Sequence, residues 1–283
     1  MIDLDRIVPL HPEGCAPPLF CVHAASGSAY SYLKLAQLLG ANRPVYGLEA
    51  PGFDGDREPV RSLRALSAEY VETLLAFRPE ADFLLLGWSF GGSIAFDMAQ
   101  RLTAAGASVG KVVMVDASTP WVAELPPERE IVRRFLHDLL ATVGAPTAAV
   151  TAMLNARPAQ ADSETLFAAA EQAGVLPDDL DVDLLTERYP VFRAHLEALF
   201  GFEVTNAYHG PVVHLIASES PLRYMRWGNV ATNLTEHIVP GSHHSIWTDD
   251  GLNRLAYLVS DALAEADCAD GHRPCPQPEL GAG

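Results

Sequence analysis

The feature that most restricts how this chain can fold is Gly87-Trp88-Ser89-Phe90-Gly91-Gly92. It is set directly between the apolar run Phe83-Leu84-Leu85-Leu86 and the helix-patterned segment Ile94-Ala95-Phe96-Asp97-Met98-Ala99. A serine on a sharp turn from a buried strand into a helix is a nucleophile elbow, and its neighbours two residues away on either side must be small because the backbone there is crowded. A bare G-x-S-x-G arises by chance in many sequences, and here it would describe a glycine-rich turn with an idle serine. The strand before it and the helix after it supply the context the motif requires. Ser89 is therefore the candidate covalent nucleophile.

The surrounding rhythm is that of an α/β protein. From residue 17, short apolar runs alternate with helix-period segments: Leu19-Phe20-Cys21-Val22, then Tyr32, Leu35, Ala36 and Leu39; Pro44-Val45-Tyr46-Gly47-Leu48, then Leu66, Tyr70 and Leu74. Phe83 to Leu86 is followed by Ile94, Met98 and Leu102, and then by Val112-Val113-Met114-Val115. Repeated strand and helix units of this kind build a mostly parallel sheet with helices on both faces, and reactive groups then sit at the carboxyl ends of the strands.

After Asp116 the rhythm breaks. Residues 121–205 carry helical patterns and no clear strand, with 14 acids against 6 arginines and no lysine. So long a connection is most simply a helical lid insertion over the active site, and its charge is read as solvation of outer helix faces rather than as attraction for a cationic substrate. Strand signals resume at Val212 to Ala217 and Glu236 to Val239, followed by an amphipathic helix from about Asp250 to Glu265. The expected organisation is a core in two parts, 1–120 and 206–267, an insertion over 121–205, and a flexible Pro- and Gly-rich tail over 268–283.

The net charge of −17, from 36 acids and 19 bases, argues against a nucleic-acid partner, which clustered Lys and Arg would be needed to hold. The start Met1-Ile2-Asp3-Leu4-Asp5-Arg6 lacks the pattern of a signal peptide, and no apolar run approaches the roughly 18 residues of a membrane span. A cytoplasmic location with no membrane contact is expected. Cys15, Cys21, Cys268 and Cys275 form no C-x-x-C pair and no spacing shared with histidines, so free thiols and no metal site are expected.

A serine hydroxyl needs a base to take its proton and a carboxylate behind that base, in the chain order Ser, Asp or Glu, then His on this architecture. Asp116 ends the strand Val112 to Val115 on the same sheet edge as Ser89; Glu219, in the loop after the next strand, is its rival. The loop Pro240-Gly241-Ser242-His243-His244-Ser245 follows the last strand and offers two adjacent histidines, between which pattern alone does not choose. His23 closes the first parallel strand and opens the small-residue loop Ala24-Ala25-Ser26-Gly27-Ser28. One backbone N–H of an oxyanion hole would come from that loop, the other from Phe90, the residue after the serine.

Taken together, Leu19 to Ser28, Arg43 to Gly52, Gly87 to Gly92, Val115-Asp116-Ala117-Ser118 and Pro240-Gly241-Ser242-His243 resemble a thioesterase domain of the α/β-hydrolase fold, of the type that ends nonribosomal peptide synthetases. The similarity runs over about residues 17–120 and 210–262. It implies Ser89 as nucleophile, Asp116 as acid, His243 rather than His244 as base, and Ala25 and Phe90 as oxyanion donors. It also implies an acyl or peptidyl substrate delivered on the phosphopantetheine of a carrier protein, with no resident cofactor. The chain departs from the family at Ala24-Ala25-Ser26, where a proline and an alanine usually precede paired glycines. Release by hydrolysis or by macrocyclisation are both open. A free-standing editing thioesterase, which a chain beginning at Met1 would fit, a general esterase and a non-catalytic binding module of this fold are the alternatives.

Overall fold

A computed structural model of the chain describes residues 3–40, 42–79, 81–142, 144–178 and 180–269, with side chains to residue 264. Seven strands, β1 (Ile7–His11), β2 (Leu19–Val22), β3 (Val45–Leu48), β4 (Phe83–Trp88), β5 (Val109–Val115), β6 (Tyr208–Ala217) and β7 (Ala231–Val239), form one sheet. Its order is β1-β3-β2-β4-β5-β6-β7. Every neighbouring pair is parallel except β1 with β3.

The central strands read as unbroken apolar runs because both of their faces are covered. All four residues of β2 and all six of β4 are buried. Alternate side chains feed two cores. Phe20, Val22, Leu85 and Met114 pack on one face against α2 (Leu63–Phe77) and α3 (Phe90–Ala104). Leu19, Cys21, Leu84, Leu86 and Val113 pack on the other against Leu35 and Ala36 of α1 (Leu33–Leu39) and Leu255 and Val259 of the last helix, α8 (Asp249–Ala269). The period-2 geometry of a strand is what divides one run between two cores.

Between β5 and β6 lie α4 (Glu128–Thr142), α5 (Ala148–Asn155), α6 (Ser163–Gln172) and α7 (Val182–Phe200). Asp162 and Asp181 cap α6 and α7 by accepting the Thr165 and Leu184 amides at 2.8 Å each, so these boundaries are locally encoded. Phe135, Phe167, Tyr189 and Phe192 knit α4, α6 and α7 together with ring separations between 5.3 and 5.9 Å.

Three features differ from what the sequence suggests. β1 is unexpected because Pro9 interrupts it, and proline is tolerated at a sheet edge, where one face of the backbone ladder needs no partner. β7 is longer than Glu236 to Val239; its outer position leaves polar residues such as Asn233 and Glu236 exposed and hides the apolar signature. Cys15 is disulfide-bonded, against the expectation of a free thiol. Pairing depends on Cα atoms meeting in space, on which sequence spacing is silent. Cys21 is free and buried. The expected tail falls outside the described residues from 270 onward, and α8 carries the backbone to Ala269. Among the described residues no helix is long and apolar enough to cross a membrane.

Candidate active site

Ser89 joins β4 to α3 with φ 55° and ψ −121°, a conformation that side-chain-bearing residues seldom adopt. The turn is held by the Ser89 amide donating to Val115 O at 2.9 Å and by the Gly92 amide donating to Ser89 O at 3.1 Å. The flanking glycines are sterically required. A Cβ on Gly87 would lie 2.1 Å from Gly91 O, one on Gly91 would lie 2.3 Å from Val22 O, and one on Gly92 would lie 2.5 Å from the Ala117 Cβ. These contacts wedge the first turn of α3 between the ends of β4, β2 and β5. Phe90 is the first residue of α3, so its N–H belongs to the set that lacks an intrahelical acceptor.

Asp116 follows β5, also at positive φ (45°), with its amide donating to Leu215 O at 2.7 Å. The residue is 2% exposed and its carboxylate is fully engaged. Oδ1 accepts from the Ala217 amide at 2.9 Å, and Oδ2 accepts from Ser220 Oγ at 2.6 Å and from His243 Nδ1 at 2.6 Å. Burial by itself would raise this carboxyl's pKa; the His243 imidazole and the other two donors outweigh it and hold the group below its ordinary value. The following carbonyl, Ala117 O, accepts from the indole of buried Trp227 at 2.7 Å, which anchors the turn.

His243 lies in the loop after β7. Because a carboxylate only accepts, its Nδ1 carries the proton toward Asp116, which leaves Nε2 as the lone-pair nitrogen of the neutral ring. The ring leans on Trp88 at 5.0 Å. Ser89, Phe90, Asp116 and His243 line one cavity of about 240 Å³, with Leu199 of α7 and Tyr224 on its walls. No hydrogen bond joins Ser89 to His243. A larger hollow of about 610 Å³, lined by Pro17, Pro18, Pro44 and Arg78, opens at the amino ends of the strands, away from this constellation.

The neighbouring histidine points elsewhere: His244 Nε2 meets Asp138 Oδ1 of α4 at 3.1 Å, and its ring lies edge-on to Trp88 at 5.7 Å. Glu219 is exposed, and its backbone amide donates to Gly241 O at 3.0 Å. Ala25 is not on the wall of the 240 Å³ cavity; it sits in the loop after β2, against which the first turn of α3 packs through Gly91. His23 is buried between the Ala24 carbonyl and the Tyr70 hydroxyl. Ser220 and Trp227 escaped the sequence reading. Ser218-Glu219-Ser220-Pro221 shows only generic turn chemistry, and nothing local says that its second serine reaches a carboxylate 104 residues away.

Comparison with known proteins identifies the fold and the family. The family model described as Thioesterase domain matches residues 17–263. A dimodular nonribosomal peptide synthase of Bacillus subtilis (strain 168) is 39% identical over 114 residues, 40% of this chain and 5% of that protein, so the chain spans a small part of this relative. Among solved structures, the NocB thioesterase domain in covalent complex with a fluorophosphonate nocardicin G analog superposes with a TM-score of 0.66 at 26% identity. That match covers 91% of this chain and 99% of that one. The type II thioesterase BorB from the borrelidin biosynthetic cluster shares the fold, with a TM-score of 0.67 at 18% identity over 93% of this chain and 99% of its own. With the α/β-hydrolase sheet, the serine elbow and a family match over most of its length, the chain belongs to the Thioesterase domain family and is an enzyme of that family.

Proposed function

We propose that the chain releases an acyl or peptidyl group from the phosphopantetheine thioester of a carrier protein through an ester on Ser89. The observation that carries the reading is the 2.6 Å Asp116–His243 pair on the cavity that Ser89 shares, with Ser89 on a strained left-handed turn.

In the first step Ser89 Oγ attacks the thioester carbonyl while His243 Nε2 takes its proton. Asp116 keeps the imidazole in the Nδ1–H tautomer and stabilises the imidazolium. The oxyanion of the tetrahedral intermediate is met by the N–H groups of Phe90 and Ala25. Collapse expels the pantetheine thiolate, which receives the proton from His243, and the cargo is left esterified on Ser89. In the second step His243 deprotonates water, or a nucleophile within the cargo, for attack on that ester, and the resulting imidazolium gives the proton to Ser89 Oγ as the acyl–Oγ bond breaks. The products are a linear acid in the first case and a lactone or lactam in the second.

Intact-protein mass spectrometry with a fluorophosphonate tests the reading. We expect one adduct, mapped to Ser89 and absent in Ser89→Ala. No adduct on folded protein, or an adduct retained by Ser89→Ala, would refute it. Product analysis with synthetic peptidyl thioesters carrying an internal amine or hydroxyl reports which second step operates.

A further inference from the structure

His195 lies on α7, 170 residues from Ala25 in sequence, and is fully buried. Its ring stacks on Phe90 at 5.0 Å and on His23 at 4.8 Å. Its Nδ1 lies 2.8 Å from the Ala25 carbonyl oxygen. A carbonyl only accepts, so that nitrogen carries the proton, and Nε2 is left as a buried lone pair with no partner. The same burial keeps the ring neutral, its pKa lowered to about 4. An orphaned acceptor is a liability to stability that phenylalanine at this position would not carry. Apolar packing therefore does not explain an imidazole here; its N–H does.

That N–H secures the loop after β2. His23 Nδ1 lies 2.7 Å from Ala24 O, and the Gly27 amide donates to the same oxygen at 3.1 Å. In a trans peptide the C=O and the following N–H point in opposite directions, so fixing Ala24 O also aims the Ala25 N–H. His195 fixes the next peptide plane through Ala25 O. Two stacked imidazoles thus hold consecutive carbonyls on either side of the Ala25 Cα. Helix α7 tightens the fit, because a Cβ on Gly27 would lie 2.9 Å from Val191 Cγ1.

We propose that His195 is a positioning residue: by donating to the Ala25 carbonyl while stacking on Phe90, it holds the backbone N–H groups of residues 25 and 90 in fixed relation to each other. The proposal rests on the reading of Ser89 as nucleophile and of those two N–H groups as oxyanion donors. It makes helix α7 of the insertion part of the reaction geometry, with one side chain reaching both halves of the oxyanion site.

The test uses the whole protein, an acyl N-acetylcysteamine thioester and a matched pair of variants. His195→Asn keeps an N–H donor near the place of Nδ1, whereas His195→Leu is of similar size and has none; His195→Phe keeps the ring and loses the donor. We expect His195→Asn to retain kcat within about threefold. His195→Leu and His195→Phe should lose at least about tenfold in kcat with KM within about twofold, since a misaimed donor weakens the transition state more than the ground state. The rate of Ser89 phosphonylation should fall in the same order. Equal kcat for the Asn and Leu variants, or losses confined to KM, would overturn the proposal. If the Leu variant fails to fold, the Asn and Phe variants decide on the same criteria. Ser89→Ala run alongside separates the levels: turnover surviving in it would refute the nucleophile itself, whatever the His195 variants do.

Discussion

Replacing Gly87 by alanine tests the elbow with the smallest possible perturbation. The added methyl would lie 2.1 Å from Gly91 O, 2.2 Å from Gly91 C and 2.5 Å from Gly92 N, all of them backbone atoms, whereas real Cβ contacts essentially never fall below 3.0 Å. The Gly91 carbonyl would have to withdraw by 0.9 Å, the difference between 3.0 and 2.1. It has little room to do so, because Gly91 is backed so closely by the end of β2 that even a Cβ on it would lie 2.3 Å from Val22 O and 2.5 Å from His23 O. The first turn of α3 must then shift or tilt, taking the Phe90 N–H and the Ser89 backbone with it. A misplacement of about 1 Å at a reacting centre is worth on the order of 100-fold in rate, or about 2.7 kcal/mol of transition-state binding. Overpacking a filled site removes a further ~1–3 kcal/mol of folding stability. Thioester kcat/KM and the rate of Ser89 phosphonylation, measured well below the melting temperature of the variant, read the first effect; urea unfolding reads the second. Gly228→Ala is the control, since a Cβ there meets nothing within 4 Å. A Gly87→Ala protein with kcat/KM within about threefold of the parent would refute the steric account of the elbow.

Asp116→Asn should lower kcat by about 10³- to 10⁴-fold, since an amide neither enforces the Nδ1–H tautomer nor stabilises the imidazolium, whereas Glu219→Gln should stay within about threefold; steady-state kinetics with the reverse ranking would move the acid. His243→Ala should abolish turnover and His244→Ala should keep most of it, because His244 pairs with Asp138 of α4; equal losses in the same assay would contradict the geometry. Burial lowers the His195 pKa from 6.5 to about 4, so below pH 6.5 the unfolded chain binds a proton there that the folded chain refuses. Folding stability should therefore fall as pH drops from 6.5 towards 4, by about 3 kcal/mol from this residue in full, and His195→Phe should flatten that slope in urea titrations at pH 7 and pH 5. Asp116 acts lower on the scale: its carboxyl is held below 3.8, so its contribution is complete above that value and is lost as pH falls through the lower folded value.

The strands whose apolar runs stand out in the sequence, β2 to β5, are those buried on both faces, and that is why they are legible: a run with helices above and below it has no polar side to dilute the signal. The elbow is legible for a related reason. Gly87 and Gly91 answer to backbone atoms a few residues away or at the end of an adjacent strand, and Gly92 to the Ala117 Cβ just past β5; such crowding leaves a spacing that can be read. β1 and most of β7 were not legible because edge positions admit Pro9 and a polar outer row. The disulfide at Cys15 was hidden because nothing local reports which groups meet.

By itself, then, the sequence determined the alternation of strand and helix, the turn that carries Ser89, and the sheet edge on which Asp116 and the histidine pair had to lie. Tertiary structure made the partnerships: His243, the histidine that the family resemblance picks, against Asp116, Ser220 on the same carboxylate, and His195 behind Ala25. The division is physical. Secondary structure and tight turns follow from forces between residues close in the chain, whose periods are written in the order of side chains. The Asp116–His243 contact joins residues 127 positions apart and the His195–Ala25 contact joins residues 170 apart, so they exist only once the sheet has set its strand ends side by side and folded α7 onto them.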